Sequence, residues 1–319
     1  MTRWYGTDFN PTQAGFAQEL ATASGAGAQL FDQSFEEFCS RPDLPDFDFF
    51  GLQGIWSWVS NANRKIITNF IRRKLKVGGV AYISYNTQPG WAAMAPMRDL
   101  LAEHAAVMNA PGSGIVPRID AAQAFADRLK DSGAQYFSNN PLVANRLQQL
   151  KQHNRNYLAH VYFNRDWEPM PFSRMNGWLE EAKLGFACSA HLIDHVGSVN
   201  LTQEQQQLLT EILDSNFRET VRDFVVNRQF RKDYWVRGLR LLSPVERIEL
   251  LRRQRFVLAA PLVKVAMTVA GSRGEAGLQE AIYRPILEQL ADYSPHSVAQ
   301  LQATLPTVPF SVLQCQQRL

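Results

Sequence analysis

The sequence is poor in cysteine, and its three cysteines, Cys39, Cys188 and Cys315, lie far apart along the chain. It contains no Cys-x-x-Cys pair and no Cys/His spacing of the kind that holds a structural zinc ion. The sequence therefore predicts neither a metal centre nor a disulfide framework. Isolated cysteines are typical of reduced proteins, so we expect an intracellular, cytoplasmic chain.

Long apolar runs and a strong excess of one charge are also lacking. The longest apolar stretch, FVLAAPLVKVAMTVAG from Phe256, is interrupted by Pro261 and Lys264, which leaves it too short to span a bilayer. The 33 basic and 30 acidic side chains give a net charge of +3, which indicates neither a membrane nor a nucleic acid as partner. Hydrophobic residues make up 45% of the 319 residues, which is enough for a sizeable core.

The N-terminal part of the sequence alternates short apolar strands with helices. Four strands are predicted in the stretches RWYGT, AQLFDQSF, DFDFFGLQG and VAYISYN. The stretches TQAGFAQELATASG and NANRKIITNFIRRKLKVGG between them have helical spacing of their apolar residues. Short apolar strands that alternate with helices predict an α/β fold with a parallel sheet.

The remainder of the sequence is predominantly helical. Trp91 to Met175 is predicted as a series of helices, followed by a strand in FACSAHLI. Capping boxes at Thr202 and Ser243 mark the start of two further helices. Between them the stretch FRETVRDFVVNRQFRKDYW is predicted as one long amphipathic helix. Two strands, RFVLAA and KVAMTVAG, and two helices complete the prediction.

Two of the predicted strands end on an acidic residue. Asp8 follows RWYGT, and Asp32 follows AQLF. In open α/β sheets ligands lie at the carboxyl ends of the strands, where a carboxylate can accept hydrogen bonds from both hydroxyls of a ribose. Asp residues also end strands for capping or for Mg²⁺, so the two acids alone do not decide between these roles.

Several stretches together resemble class I S-adenosylmethionine-dependent methyltransferases, and specifically a bacterial group with a methyltransferase regulatory domain after the catalytic core. The N-terminal stretches are YGTDFNPTQAGFAQEL, LFDQSFEEF, FDFFGLQGIWSWV and LKVGGVAYISYNTQPGW, and the later ones are YLAHVYFNRDWEPMPF and FVVNRQFRKDYWVRG. The resemblance covers most of the chain, and GIWSWV with SYNTQPGW is its most specific part.

The resemblance implies an organisation in three parts. Residues 1–110 are expected to form a Rossmann-like methyltransferase core, 111–255 a helical regulatory domain, and 256–319 strands with a partial winged-helix-like segment that includes PFSVLQCQQRL. Trp4 to Asp8 then corresponds to the second strand of the methyltransferase sheet. No counterpart of that family's first strand and Gly-rich loop is found, so we expect an N-terminally truncated core and a chain that is an inactive fragment.

The resemblance also implies positions for the cofactor, S-adenosylmethionine. Asp8 is the expected ribose ligand, with Phe9 near the adenine. Asp32 and Gln33 are expected near the adenine amino group, and Gln53 and Gly54 near the methionine portion. The residues expected to form the wall of the acceptor pocket are Trp56, Tyr85 and Asn86. No catalytic acid or base is indicated, because methyl transfer requires mainly proximity and desolvation.

Two functions remain open at this point. The first is methyl transfer to an acceptor that the sequence does not identify. The second is a non-enzymatic regulatory or interaction module, in which the basic stretch from Arg218 to Arg255 contacts a protein partner or a nucleic acid. A nucleic acid is the less favoured partner, because no intact recognition helix is found.

Overall fold

The computed structural model describes residues 2–110 and 112–305. Its N-terminal part alternates strands and helices as predicted. The elements are β1 (Trp4–Thr7), α1 (Pro11–Ala23), β2 (Ala28–Phe31), α2 (Phe35–Ser40), β3 (Phe47–Leu52), α3 (Asn61–Lys74) and β4 (Leu75–Asn86). Side-chain caps fix the starts of these helices: Asn10 caps α1, Ser34 forms a capping box with Glu37 at α2, and Ser60 caps α3.

The middle of the chain is helical. Its elements are α4 (Ala95–Val107), α5 (Ile115–Asp131), α6 (Gln135–Asn139), α7 (Pro141–Leu150), α8 (Arg155–Val161) and α9 (Phe172–Glu180). The first five pack around an apolar cluster of their own that includes Met97, Leu101, Ile119 and Leu158. Helix α9 instead packs against the sheet through Phe172 and Met175.

The following part returns to the sheet. Its elements are β5 (Leu184–Ser189), α10 (Gly197–Asn200), α11 (Gln203–Glu211), α12 (Ser215–Val225) and β6 (Phe230–Arg237). The prediction of one long helix from 217 to 235 is wrong, because α12 ends at Val225 and the chain turns through Asn227, whose φ is +47°, into β6. In β6 alternate residues are buried, which is the period of a strand.

The last described part contains α13 (Pro244–Arg253), β7 (Arg255–Phe256), β8 (Thr268–Gly271), β9 (Gly274–Gly277), α14 (Glu280–Gln289), β10 (His296–Ser297) and α15 (Val298–Thr304). The expected strands RFVLAA and KVAMTVAG are confirmed only in part, since β7 has two residues and β8 four. The stretch PFSVLQCQQRL, with Cys315, lies outside the described residues. Among the helices of the described ranges, none is long and apolar enough to cross a bilayer.

The strands confirm the predicted α/β class, but the larger sheet is mixed. β1 and β2 form a parallel pair, and a separate sheet has the order β3-β4-β6-β5. β3 and β4 are parallel, whereas β6 is antiparallel to both of its neighbours. Within the described ranges, no strand pairs with the outer edge of β1 or of β3.

The core of the larger sheet lies under α3 and α9. Trp235 on β6 is completely buried and stacks on Phe172 of α9, with ring centroids 5.6 Å apart. Ile83 on β4 and Ile71 on α3 belong to the same cluster. Because β6 lies within 111–255 and pairs with β4, one sheet joins the two parts of the chain that were predicted as separate domains. The domain division stays a prediction.

Candidate functional site

The carboxyl ends of β1 and β2 bring the first group of predicted site residues together. The strands are parallel and in register from Trp4↔Ala28 to Thr7↔Phe31, so Asp8 and Asp32 leave the pair at the same edge. The Asp8 N–H donates to the Phe31 carbonyl at 3.1 Å, which holds the two chain segments side by side.

Both carboxylates at this edge face solvent. Asp8 and Asp32 are exposed, and Asp8 uses one oxygen, Oδ1, to accept the Asn10 N–H at 2.8 Å. The Phe9 ring is 79% exposed, and Gln33, which follows Asp32, is half-buried. A carboxylate with a free oxygen next to an exposed aromatic ring can bind a ribose and a flat heterocycle, so the residues present fit an adenosine.

The second group of predicted residues lies at the carboxyl ends of β3 and β4. Gly54 follows β3 with a φ of +64°, a left-handed conformation that favours glycine. Its N–H donates to the buried Ser84 hydroxyl of β4 at 2.8 Å. The Gln53 side chain accepts a hydrogen bond from the Tyr82 hydroxyl at 2.7 Å. Two hydrogen bonds, one at each of the two residues of the turn, therefore join the turn after β3 to β4.

The structure places the predicted aromatic wall residues, Trp56 and Tyr85, in the core. Both side chains are 0% exposed, and Trp56 packs edge-on against Trp178. The Tyr85 hydroxyl donates to Asp233 Oδ2 at 3.0 Å. Burial, together with the Asp233 charge, raises the pKa of Tyr85 well above its usual value. These two side chains are therefore part of the core and present no surface to solvent, where a wall of an acceptor pocket was expected.

Asn86, the last residue of β4, is buried but keeps unused hydrogen-bonding capacity. Its N–H donates to the Ser57 hydroxyl at 2.8 Å, and its carbonyl accepts the Met170 N–H at 3.2 Å. In the described part of the chain its side-chain Nδ2 has no hydrogen-bond partner. A buried amide donor without a partner is rare in native proteins and is a candidate for contact with a ligand or water.

A set of ion pairs near this edge was not predicted from the sequence. Arg64 on α3 is buried and forms an ion pair with Glu168, and its Nε donates to the Trp56 carbonyl at 3.1 Å. Glu168 also pairs with Arg174. The two partners Arg64 and Glu168 are 104 positions apart, so no local spacing could have revealed the link. It ties the segment before α9 to the turn after β3.

A family model matches one part of the chain. Residues 154–237 match the model described as "Predicted methyltransferase regulatory domain". The match begins at α8 and ends with β6, so it includes α12 and the two strands, β5 and β6, that complete the larger sheet.

Curated relatives extend over more of the chain. "Uncharacterized protein sll1526" of Synechocystis sp. is 46% identical over 301 residues, which are 94% of this chain and 58% of that protein. "Uncharacterized protein RP789" of Rickettsia prowazekii is 26% identical over 198 residues, covering 60% of this chain and 35% of that protein. The chain therefore spans little more than half the length of the first of these relatives.

Solved structures match the fold. PKMT2 from Rickettsia typhi has a TM-score of 0.68 and 17% identity, over 98% of this chain and 63% of that one. The structure of the same protein in complex with AdoHcy has a TM-score of 0.68 and 18% identity and covers 65% of that chain. At these identities the match establishes a shared fold and nothing about activity.

Proposed function

We propose that this chain, which has the fold of a class I methyltransferase and carries a methyltransferase regulatory domain, is part of an enzyme that uses S-adenosylmethionine to methylate an acceptor. The observation that carries the proposal is the pair of exposed carboxylates, Asp8 and Asp32, at the same edge of two parallel strands. The structural match to PKMT2 in complex with AdoHcy supports it.

The chain's own residues suit the adenosine half of the cofactor. Asp8 would accept the two ribose hydroxyls, and Phe9 would cover the adenine. Asp32 and Gln33 would meet the adenine amino group. S-adenosylmethionine supplies a methyl group on a positively charged sulfur, which needs an orienting and water-excluding site more than it needs a base.

The carboxyl ends of β3 and β4 would form the acceptor side. Gln53 and Gly54 would lie next to the reacting end of the cofactor, where the bond from the Gly54 N–H to Ser84 keeps the turn rigid. Asn86 would offer its unpartnered amide. Trp56 and Tyr85 would support this side from the core and would not touch the acceptor.

The proposal is tested by calorimetric titration of the chain with S-adenosylhomocysteine. Asp8→Asn keeps the size of the side chain but removes the charge that would accept the ribose hydroxyls, and we expect a loss of binding of at least ~10-fold, the size of one charge-assisted hydrogen bond. Glu19→Gln on the exposed face of α1 is the matched control and should bind as the unchanged chain does. Equal affinity of Asp8→Asn and Glu19→Gln would contradict the ribose assignment.

A further inference from the structure

A cavity of about 900 Å³ lies between strands β5 and β6 of the larger sheet and helices α12 and α13. It adjoins the carboxyl end of β4, where Tyr85 pairs across the sheet with Arg231. Its buried wall includes Arg231 and Asp233 of β6 and Asp223 of α12. Its exposed rim includes Leu242, Ile248, Leu250 and Phe256, from the segment around α13. The cavity therefore has a charged floor and an apolar rim.

The floor holds more negative than positive charge. Arg231 donates to Asp233 at 2.7 Å, to Asp223 at 2.8 Å and to Glu219 at 2.9 Å, so three carboxylates surround one guanidinium. The guanidinium also lies over the Phe172 ring, 4.4 Å from its centroid. The Asp223 and Asp233 side chains are only 2% and 1% exposed, so solvent does little to offset the excess charge.

Two carboxylate oxygens of this cluster lack a donor. Asp223 Oδ2 and Asp233 Oδ1 are buried and accept no hydrogen bond from any residue in the described ranges. Buried polar atoms are hydrogen-bonded in the great majority of cases, and an unsatisfied acceptor of a charged group is costly. Both residues line the cavity, so a positively charged donor that enters it from the rim and displaces the side chains slightly could satisfy these two oxygens.

The other basic side chains of the cavity wall do not donate to these two carboxylate oxygens. Arg228 donates to Asp194 Oδ1 at 2.9 Å, and Arg222 donates to the Asp194 backbone carbonyl. Arg247 lies on α13 and is exposed. The basic groups other than Arg231 are thus engaged elsewhere or stand at the mouth of the cavity.

We propose that this cavity binds an organic cation, a primary ammonium or guanidinium group carried on an apolar stem. The cation donates to Asp223 Oδ2 and Asp233 Oδ1, and the stem packs along the leucines and the phenylalanine of the rim. Most of the wall, including β5, α12 and β6, lies within the part of the chain that matches the regulatory domain. The proposal is independent of cofactor binding.

The ionisation of Asp223 sets the pH range in which the cation binds. Burial raises the pKa of this carboxyl to about 7, the charges of Asp233 and Glu219 add to the rise, and Arg231 opposes it. Several ionisable groups face the cluster from the packed elements. They are Tyr85 of β4, Cys188 of β5, Asp194 and His195 after β5, Glu219 and Arg222 of α12, Arg228 before β6, Arg231 and Asp233 of β6, and Arg247 of α13. In the empty site the Asp223 carboxyl therefore takes up a proton as the pH falls through about 7, and a bound cation displaces this proton.

Hexylammonium is the probe for this site, with hexanol and hexanoate as ligands of the same length that lack the positive charge. We expect hexylammonium to give saturable heat in a calorimetric titration, with affinity ~10-fold higher at pH 8 than at pH 6, because the ionised fraction of a group with a pKa near 7 rises about that much. Hexanol and hexanoate should give none. Equal binding of hexanol, preferential binding of hexanoate, or no heat with millimolar hexylammonium would each overturn the proposal.

Variants locate the binding to the cluster. Asp223→Asn keeps an oxygen for Arg231 but loses the free carboxylate charge, and we expect hexylammonium affinity to fall at least ~10-fold and to depend less on pH. Glu211→Gln, an exposed acid at the end of α11, is the matched control and should leave both unchanged. If Asp223→Asn binds like the control, the proposal is wrong. If that variant does not fold, the pH dependence and the hexanol comparison on the unchanged chain decide alone.

Discussion

The buried carboxylate of Asp223 predicts an unusual dependence of stability on pH. Its pKa rises from the ordinary 3.8 to about 7 on folding, so the folded chain holds this proton more tightly than the unfolded chain does. The resulting stabilisation is fully present below pH 3.8 and is lost as the pH rises through 7. This is the reverse of the usual behaviour of an ion-paired carboxylate, whose pKa is lowered.

The size of the effect follows from the two pKa values. A rise from 3.8 to about 7 corresponds to about 4 kcal/mol over the full range, at about 1.4 kcal/mol for each tenfold change in proton affinity. Between pH 5.5 and pH 8, where measurements are practical, the free energy of unfolding should fall by about 2 kcal/mol on account of Asp223. Asp223→Asn does not titrate and should not show this loss.

Urea unfolding at pH 5.5 and pH 8 measures the difference. We expect the free energy of unfolding of the unchanged chain to fall by about 2 kcal/mol more than that of Asp223→Asn between these pH values. Glu211→Gln serves as the control and should follow the unchanged chain, since the other titrating groups are common to all three. Equal pH dependence of the unchanged chain and Asp223→Asn would refute the assignment of the buried proton to Asp223.

Three further substitutions test the packing and the strand ends. Trp235→Ala removes a completely buried ring that stacks on Phe172 and should cost about 3–5 kcal/mol in urea unfolding; a loss below about 1 kcal/mol would mean that the ring is not in the core. Ser34→Ala removes one half of the capping box of α2 and should cost about 1 kcal/mol by the same assay, whereas no change would contradict the cap. Ser84→Ala leaves the Gly54 N–H without its acceptor, and we expect faster amide exchange at Gly54, measured by hydrogen exchange; unchanged protection would argue against that bond.

The N-terminal strands and helices were predictable because their apolar residues repeat with the period of the element that they form. β1 to β4 each carry a short apolar run, and the predicted capping boxes at Thr202 and Ser243 are present at the starts of α11 and α13. Asp8 and Asp32 could be placed at one edge because they follow parallel strands. These features depend on neighbours in sequence, which is why the sequence reveals them.

β6 was missed because two of its three buried residues are charged. Arg231 and Asp233 point into the core beside Trp235, while Lys232 between them is exposed. The strand alternates in burial, but the sequence shows polar residues at successive positions, and the preceding helical pattern of α12 conceals the change of period. The burial of Arg231 is compensated by Asp223 and Glu219 on another element, a pairing that only the tertiary structure supplies.

The aromatic residues show a second limit of the sequence. Trp56 and Tyr85 lie next to the ends of strands, where an acceptor pocket was expected. Their aromatic side chains suit either the wall of a pocket or the core. The contacts with Trp178 and Asp233 put them in the core. Those contacts come from residues more than a hundred positions away, which no local pattern reports.

Hydrogen–deuterium exchange of the chain with and without S-adenosylhomocysteine tests the central claim most directly, because it locates the ligand as well as detecting it. The proposed function predicts added protection in three segments, 7–10, 31–34 and 52–55, which follow β1, β2 and β3. It predicts no change around Asp223 and α13. Protection confined to the α12–β6 cavity, or none at saturating ligand, would contradict the placement of the cofactor at the strand ends.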